Sequence, residues 1–247
     1  MDNGSTDATA TVAAELGARV VREPIPSRAR ARNCGARAAN SGLHACTDAD
    51  CVPDRRWLES LLDCADRAPL VAGQVRTRVR SDPNAIERFE LLWRFDQEAW
   101  VPQGWAATAN LLIHADAYEA VGGFDPAYRH YTEDADFCLR AGRAGFPLGY
   151  SASAIVEHQG EEKLWPFIRR GFMHGYGSNQ AFHRIGAGYR AWHEPAPALF
   201  GDRALRTIGH SPDRFSRREW RAMARLARLS YCARMTGSIW AELVRAR

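Results

Sequence analysis

The sequence predicts an α/β fold over residues 1–160, with a mostly parallel sheet flanked by helices, and a helical C-terminal extension over residues 161–247. Three observations carry this expectation. Short apolar or β-branched runs alternate with helix-length stretches, the pattern of strands joined by crossover helices. Several of these runs lead into turn signals, such as Asp2-Asn3-Gly4, Thr47-Asp48-Ala49-Asp50 and Gly122-Gly123. After about residue 160 the strand-like runs stop and only helical patterns remain.

Each element follows from local chemistry. Residues 5–17 open on Ser5, Thr6 and Asp7, whose side chains cap a helix, and stop at Gly17. Residues 18–23 form a short β-branched run, and the Arg- and Ala-rich residues 28–40 predict a helix. Residues 42–50 run as a strand into an acidic turn. Pro53 suits the first turn of a helix reaching about Arg67. Residues 71–79 alternate as a strand does, residues 83–99 predict a long helix, and residues 110–113 a strand. A helix over residues 133–145 and two short strands within 147–158 complete the α/β region. Residues 163–184 and 213–247 read as helical, separated by a Pro-, Gly- and His-rich loop over 186–212.

Composition excludes several classes. The 247 residues are 46% hydrophobic and 25% charged, a globular balance that rules out disorder over most of the chain. No apolar run approaches the ~20 residues that cross a bilayer. A net charge of +4 is too small to point to nucleic acid, which is not expected as a partner. Lys163 is the only lysine among the basic residues. The six cysteines are scattered without a CxxC pair, which suits free thiols in a reducing compartment. A cytoplasmic chain without a secretory leader is therefore expected.

The candidate chemistry begins with Asp48 and Asp50. Two carboxylates two apart at the end of a strand point toward the crevice where open α/β sheets bind ligands. Mg²⁺ or Mn²⁺ takes such hard oxygen donors and bridges them to a diphosphate. A solvated turn would also explain the pair. Asp2-Asn3-Gly4-Ser5-Thr6-Asp7 is a glycine turn feeding a helix cap, and Arg32-Asn33 lies about fifteen residues before the acidic pair. Glu133-Asp134 opens a helix, either as favourable charge at the dipole or as a general base with a partner. His158 ends a short strand as a structural residue or a metal ligand.

Taken in order, DNGSTD, ARNCG, TDADCVP, TAN at 108–110, GGFD, EDADFCLR and GYSASAIVEH resemble the family 2 glycosyltransferases of the GT-A fold, a Rossmann-like architecture. The resemblance covers residues 1 to about 160. It implies a nucleotide-diphospho-sugar donor, a divalent metal (Mg²⁺ or Mn²⁺) and inverting transfer to a hydroxyl acceptor, whether lipid, glycan or small molecule. It places Asp2 at the nucleobase or ribose, Arg32 near the nucleotide, and Asp48 at the ribose or metal-bound water. Asp50 becomes a metal ligand, with His158 as a further one. Asp134 becomes the base beside Glu133, and Asn110 lies beside the acceptor.

Members of this family carry some thirty residues before DNGSTD, so an N-terminally truncated domain is expected, and a non-catalytic remnant is the rival reading. A nucleotidyltransferase is a further rival that lacks support from any glycine-rich basic segment near the N-terminus. The Gln-x-x-Arg-Trp motif of processive synthases is absent, which favours addition of a single sugar. In residues 213–231, Arg214, Arg218, Arg221, Arg225 and Arg228 share one helical face. Trp220, Met223, Leu226, Ala227 and Tyr231 share the other, so the helix either packs its apolar side on the catalytic domain and solvates its arginines, or makes a peripheral contact with the inner face of a membrane.

Overall fold

A computed structural model describes residues 1–128, 131–185 and 215–245. The loop expected at 186–212 and Arg214 lie outside them. The chain forms two compact units, Met1–Val75 with Gln97–Val156, and Arg76–Asp96 with Glu157–Arg247. Residues 76–96, which the sequence placed inside the α/β domain, belong to the second unit.

In chain order the elements are α1 (Thr9–Glu15), α2 (Arg28–Ala38), β1 (Leu43–Thr47), β2 (Cys51–Pro53), α3 (Trp57–Ala65) and β3 (Leu70–Arg78). They continue with α4 (Ala85–Trp93), α5 (Gln97–Trp100), β4 (Asn110–His114), α6 (Ala115–Ala120), α7 (Glu133–Arg143) and β5 (Leu148–Gln159). Two long helices follow, α8 (Leu164–Ile185) and α9 (Arg217–Arg245). The five strands make one sheet in the order β1-β4-β3-β5-β2.

The sheet is mixed where a mostly parallel one was expected. Strand β4 runs antiparallel to both β1 and β3, with Thr47 opposite Asn110 and Val71 opposite Leu112. A short apolar run such as Leu111-Leu112-Ile113 is buried on both faces in either direction, so its composition does not encode its orientation. The run at 18–23 contributes a single parallel bridge, Asp2 to Arg22, rather than a strand.

Three other boundaries moved for local reasons. Pro53 ends β2 instead of opening a helix, because the Asp54 amide donates to the Ile155 carbonyl and keeps the backbone extended. Helix α3 therefore starts at Trp57. The helix expected over 83–99 breaks between α4 and α5. There the Gln97 side-chain amide leaves the helix to donate to the Gly73 and Asn110 carbonyls. Residues 148–159 form one continuous strand rather than two.

The first unit's core gathers Leu61, Ala65, Ala68, Val71, Leu112 and Ala154. Leu43, Trp57 and Cys64 pack around them. Burying a leucine of this kind stabilises by about 1.5–3 kcal/mol, which fixes α3 against the sheet.

In the second unit α8 and α9 meet through small residues. A Cβ on Gly175 would overlap the Arg234 carbonyl, and one on Gly237 would overlap the Phe172 carbonyl. Only glycine allows such backbone approach. Helix α4 starts with a capping box, in which Asn84 accepts from Glu87 N and Glu87 accepts from Asn84 N. Glu87 also takes Arg80, while Glu90 is shared by Arg94 and Arg170. Met223 and Ala227 are buried in this unit, and Arg218, Arg221, Arg225 and Arg228 are exposed. No helix among the described residues is long and apolar enough to cross a membrane.

Candidate active site

The first unit carries five of the expected residues on four segments: the N-terminal turn, α2, the turn after β1 and the first turn of α7. The N-terminal turn holds Asp2. Gly4 has φ +84°, a left-handed conformation that suits glycine and closes the turn. Asp2 is buried, and its Oδ1 accepts from the Ser5 amide at 3.1 Å, while Arg22 lies 3.6 Å from its other oxygen. Hydrogen bonds from Ser5 come first, and the Arg22 charge adds to them, in holding the Asp2 carboxyl below the usual range. Asn3 ties this turn to the next segment. Its side chain donates to the Glu23 and Ile25 carbonyls and accepts from the Ser27 amide. Ser27 in turn caps α2 by accepting from Arg30 N.

Arg32 on α2 is where the charges converge. Its guanidinium pairs with Glu133 and reaches Asp48 at 3.4 Å. Burial works against its charge, but Glu133, Asp48 and Asp134 outweigh it and raise its pKa. Asp48 follows the last residue of β1, and the Cys51 amide donates to its carbonyl in a tight turn that leaves Asp50 exposed.

Glu133 and Asp134 form the first turn of α7. Thr132 before them has φ +77°, a left-handed conformation that is strained for a β-branched residue. Glu133 is buried against Arg32. Asp134 accepts from the Ala135 amide at 2.9 Å. Burial first and the Glu133 charge second push the Asp134 carboxyl up to about 6, against the pull of Arg32. A carboxyl with that pKa exchanges a proton close to neutral pH.

The segment leading into α7 is held from two sides. Asn33, next to Arg32, donates to the Phe124 carbonyl at 2.7 Å and accepts from the Phe124 amide at 2.9 Å and from the Tyr118 hydroxyl at 2.8 Å. Arg140 of α7 donates to the Val121 and Gly123 carbonyls and pairs with Asp136. Phe124 stacks on Phe137 with centroids 4.6 Å apart. Nothing local in the sequence gives Asn33 or Arg140 this role; only the Gly122-Gly123-Phe124-Asp125 turn signals a loop needing restraint.

Asn110 requires a correction. It is fully buried, and its side-chain amide donates to the Gln74 and Ala154 carbonyls while its oxygen accepts from Trp57 Nε1 at 2.8 Å. Those three partners use the side chain inside the sheet, so it does not lie open to an acceptor. His158 belongs to the second unit and is buried. Its Nδ1 lies 2.8 Å from the Gln159 carbonyl and its Nε2 3.3 Å from Arg94 Nη2, with Phe95 against the ring.

The fold defined by these elements is similar to that of a solved mannosyltransferase from Pyrobaculum calidifontis in complex with GDP-Man and Mn²⁺. The TM-score is 0.58 at 18% identity, over 96% of this chain and 75% of that one. This is an α/β fold of the GT-A type. Family models for glycosyl transferase family 2 match residues 1–122, and for glycosyl transferase family group 2 residues 93–243. The chain belongs to the family 2 group of glycosyl transferases.

Among curated proteins it is 34% identical over 157 residues to a pre-mycofactocin glycosyltransferase of Mycobacterium tuberculosis, covering 57% of this chain and 33% of that one. It is 30% identical over 198 residues to an N-acetylglucosaminyl-diphospho-decaprenol L-rhamnosyltransferase of the same organism, covering 64% of each chain. The chain thus spans about a third of the first relative's length and under two thirds of the second's.

Proposed function

We propose that this chain is an inverting, metal-dependent glycosyltransferase that moves one sugar from a nucleotide-diphospho-sugar to a hydroxyl acceptor. The observation that carries the reading is Asp134, a carboxyl raised to about 6 at the first turn of α7, beside the Arg32, Glu133 and Asp48 cluster. Family membership supports the class of reaction. The donor-side residues are Asp2, Arg32 and Asp48. The acceptor is a lipid, a glycan or a small molecule.

Inverting transfer is one in-line displacement. Asp134 accepts the acceptor hydroxyl's proton as that oxygen attacks the anomeric carbon, and the nucleoside diphosphate departs with the bonding electrons. Arg32 supplies fixed positive charge on the donor side, and Glu133 orients that guanidinium while raising the proton affinity of Asp134.

Of the residues proposed for the metal, Asp50 suits a hard divalent cation, while His158 would have to release Arg94 before it could bind one. Asp50 offers an exposed carboxylate. His158 places Nδ1 against a backbone carbonyl, the arrangement that leaves the Nε2 lone pair for a ligand or, as here, for Arg94. A cation held at Asp50 would neutralise charge developing on the departing diphosphate. The proposal also includes peripheral membrane contact through residues 213–231 and a two-part organisation in which residues after about 160 serve the α/β domain.

Asp134→Asn keeps the side chain's size and removes proton acceptance. Turnover should fall by ~10²–10⁴, while affinity for the nucleotide donor is retained in calorimetry. Near-normal turnover would remove Asp134 from the role of base. Asp50→Ala should abolish the Mn²⁺ dependence of donor binding, and unchanged affinity with Mn²⁺ would exclude Asp50 as a ligand.

A further inference from the structure

Helix α9 has two opposite faces. Its inner face carries Met223, Ala227, Ala233, Gly237 and Ala241, all buried. Positions 221, 225, 228, 232, 235, 239 and 243 recur every three or four residues and fall on the outer face. In its first half that face is cationic, with Arg218, Arg221 and Arg225 exposed over about 10 Å of helix. In its second half it is apolar. Met235, Ile239 and Leu243 lie on it, 43%, 56% and 56% exposed, and Trp240, 53% exposed, stands at its flank. The helix carries two acidic residues, and both are engaged elsewhere. Glu219 accepts from Ser216 and pairs with Arg88, and Glu242 takes Asn179, His183 and Arg245.

We infer that the outer face of α9 docks on an anionic lipid bilayer. The arginines of its first half pair with headgroup phosphates, and Ile239, Trp240 and Leu243 sink into the boundary with the acyl chains. This rests on the peripheral contact proposed above and deepens it. Met223 and Ala227, on the apolar face opposite the arginines, are buried inside the protein and are not available to lipid. Ile239 and Leu243 lie instead about three to six turns further along, on the same side as the arginines, with Trp240 at the flank of that side.

Charge decides between a bilayer and a second copy of the chain. Parallel pairing of two outer faces would set arginine against arginine. Antiparallel pairing would cover the guanidiniums with apolar side chains and give them no anion, a costly desolvation. A bilayer containing acidic lipid satisfies both halves at once, with phosphate for the guanidiniums and an apolar boundary next to it. Tryptophan favours that boundary, since its ring is apolar and its N–H polar.

The test is co-sedimentation of the full chain with vesicles of phosphatidylcholine alone, or of phosphatidylcholine and phosphatidylglycerol in equal parts. Binding should require phosphatidylglycerol and weaken steeply with salt. Arg221→Glu with Arg225→Glu should lower the partition coefficient by about thirtyfold or more, at roughly a factor of five per cation. Ile239→Ser with Leu243→Ser should lower it by about tenfold or more. All four positions are exposed, so both variants should melt like the wild type and keep its nucleotide affinity.

If the arginine variant loses binding and the serine variant does not, the contact is electrostatic alone and the docking mode is wrong, although a peripheral contact survives. If the wild type binds neither vesicle, the peripheral contact falls as well; equal binding to both would overturn docking on anionic lipid while leaving a membrane contact. A dimer in sedimentation equilibrium that Leu243→Glu dissociates would assign this face to a second copy and overturn the proposal. Nucleotide affinity is measured on the same samples, so failure at the membrane is separable from failure of the transferase reading.

Discussion

Glu87 and Glu90 of the second unit and Asp134 of the first are carboxylates withdrawn wholly or partly from water, yet their surroundings treat them in opposite ways. Hydrogen bonds from Arg80 come first in holding Glu87 down to about 2, with the Asn84 and Arg80 amides adding to them. Glu90 is shared by two arginines. Near Asp134 the order is reversed. The cation that pulls it down, Arg32, is itself committed to Glu133 and Asp48, and burial together with the Glu133 charge pushes Asp134 up. Burial is common to both neighbourhoods. What differs is how many cations each carboxylate has to itself. Where the counter-charges are saturated the group is structural, and where they are left short it can trade a proton.

Breaking the saturated side should give the largest effect. Glu90→Gln removes the carboxylate shared by Arg94 and Arg170, and breaking a buried ion network from one side costs about 3 kcal/mol or more. Denaturant unfolding should register that loss, and a change within error would mean these arginines are satisfied without Glu90.

The unsaturated side should respond with the opposite sign. The folded-state pKa of Asp134, about 6, lies above its ordinary 3.8. Its contribution to stability is therefore fully present below about 3.8 and is lost as pH rises through about 6. Asp134→Asn should unfold at a higher temperature than the wild type at pH 7, with the difference vanishing near pH 4. A lower melting temperature at pH 7 would contradict the raised pKa. The same logic fixes the activity profile. The rate should climb as pH passes through about 6, and Glu133→Gln, which removes a like charge, should move that rise to lower pH. A rise that stays in place would show that Glu133 does not set the proton affinity of its neighbour.

The smallest effect concerns the backbone in front of these carboxylates. Thr132 holds φ +77°, and Thr132→Gly should relieve strain worth up to ~1 kcal/mol, less whatever glycine's freedom in the unfolded chain returns. The melt should shift by a few degrees at most. A clear loss would mean that the threonine side chain is needed where it stands.

The sequence made the proposed site residues legible to the extent that they are local in character. Asp2 sits in a glycine turn, Asp48 follows a strand, and Glu133 and Asp134 open a helix, and each has a signature within a few residues. The convergence of Asp48, Glu133 and Asp134 around Arg32 was legible only through the order of the motifs, because Arg32 and Glu133 are 101 positions apart. Asn110 was misread for the same reason. Its partners Trp57, Gln74 and Ala154 come from three separate elements, and nothing near residue 110 announces them. Strand direction was invisible because a fully buried run looks alike both ways. The outer face of α9 was half seen: the arginine spacing is plain in the sequence. Which apolar residues remain exposed depends on the Gly171, Gly175 and Gly237 contacts that choose the inner face.

The loop at Gly122-Gly123-Phe124 has a mechanical consequence. Asn33 grips both backbone groups of Phe124 from α2, and Arg140 grips the preceding carbonyls from α7. Arg32 is the neighbour of Asn33 in α2, and Asp134 stands on the same helix as Arg140. A shift of one helix therefore pulls on the other through a few ångströms of loop backbone, independently of the Arg32–Glu133 ion pair. The two ends of the cluster share one anchor, so a disturbance that loosens this loop reaches the arginine and the carboxyl together.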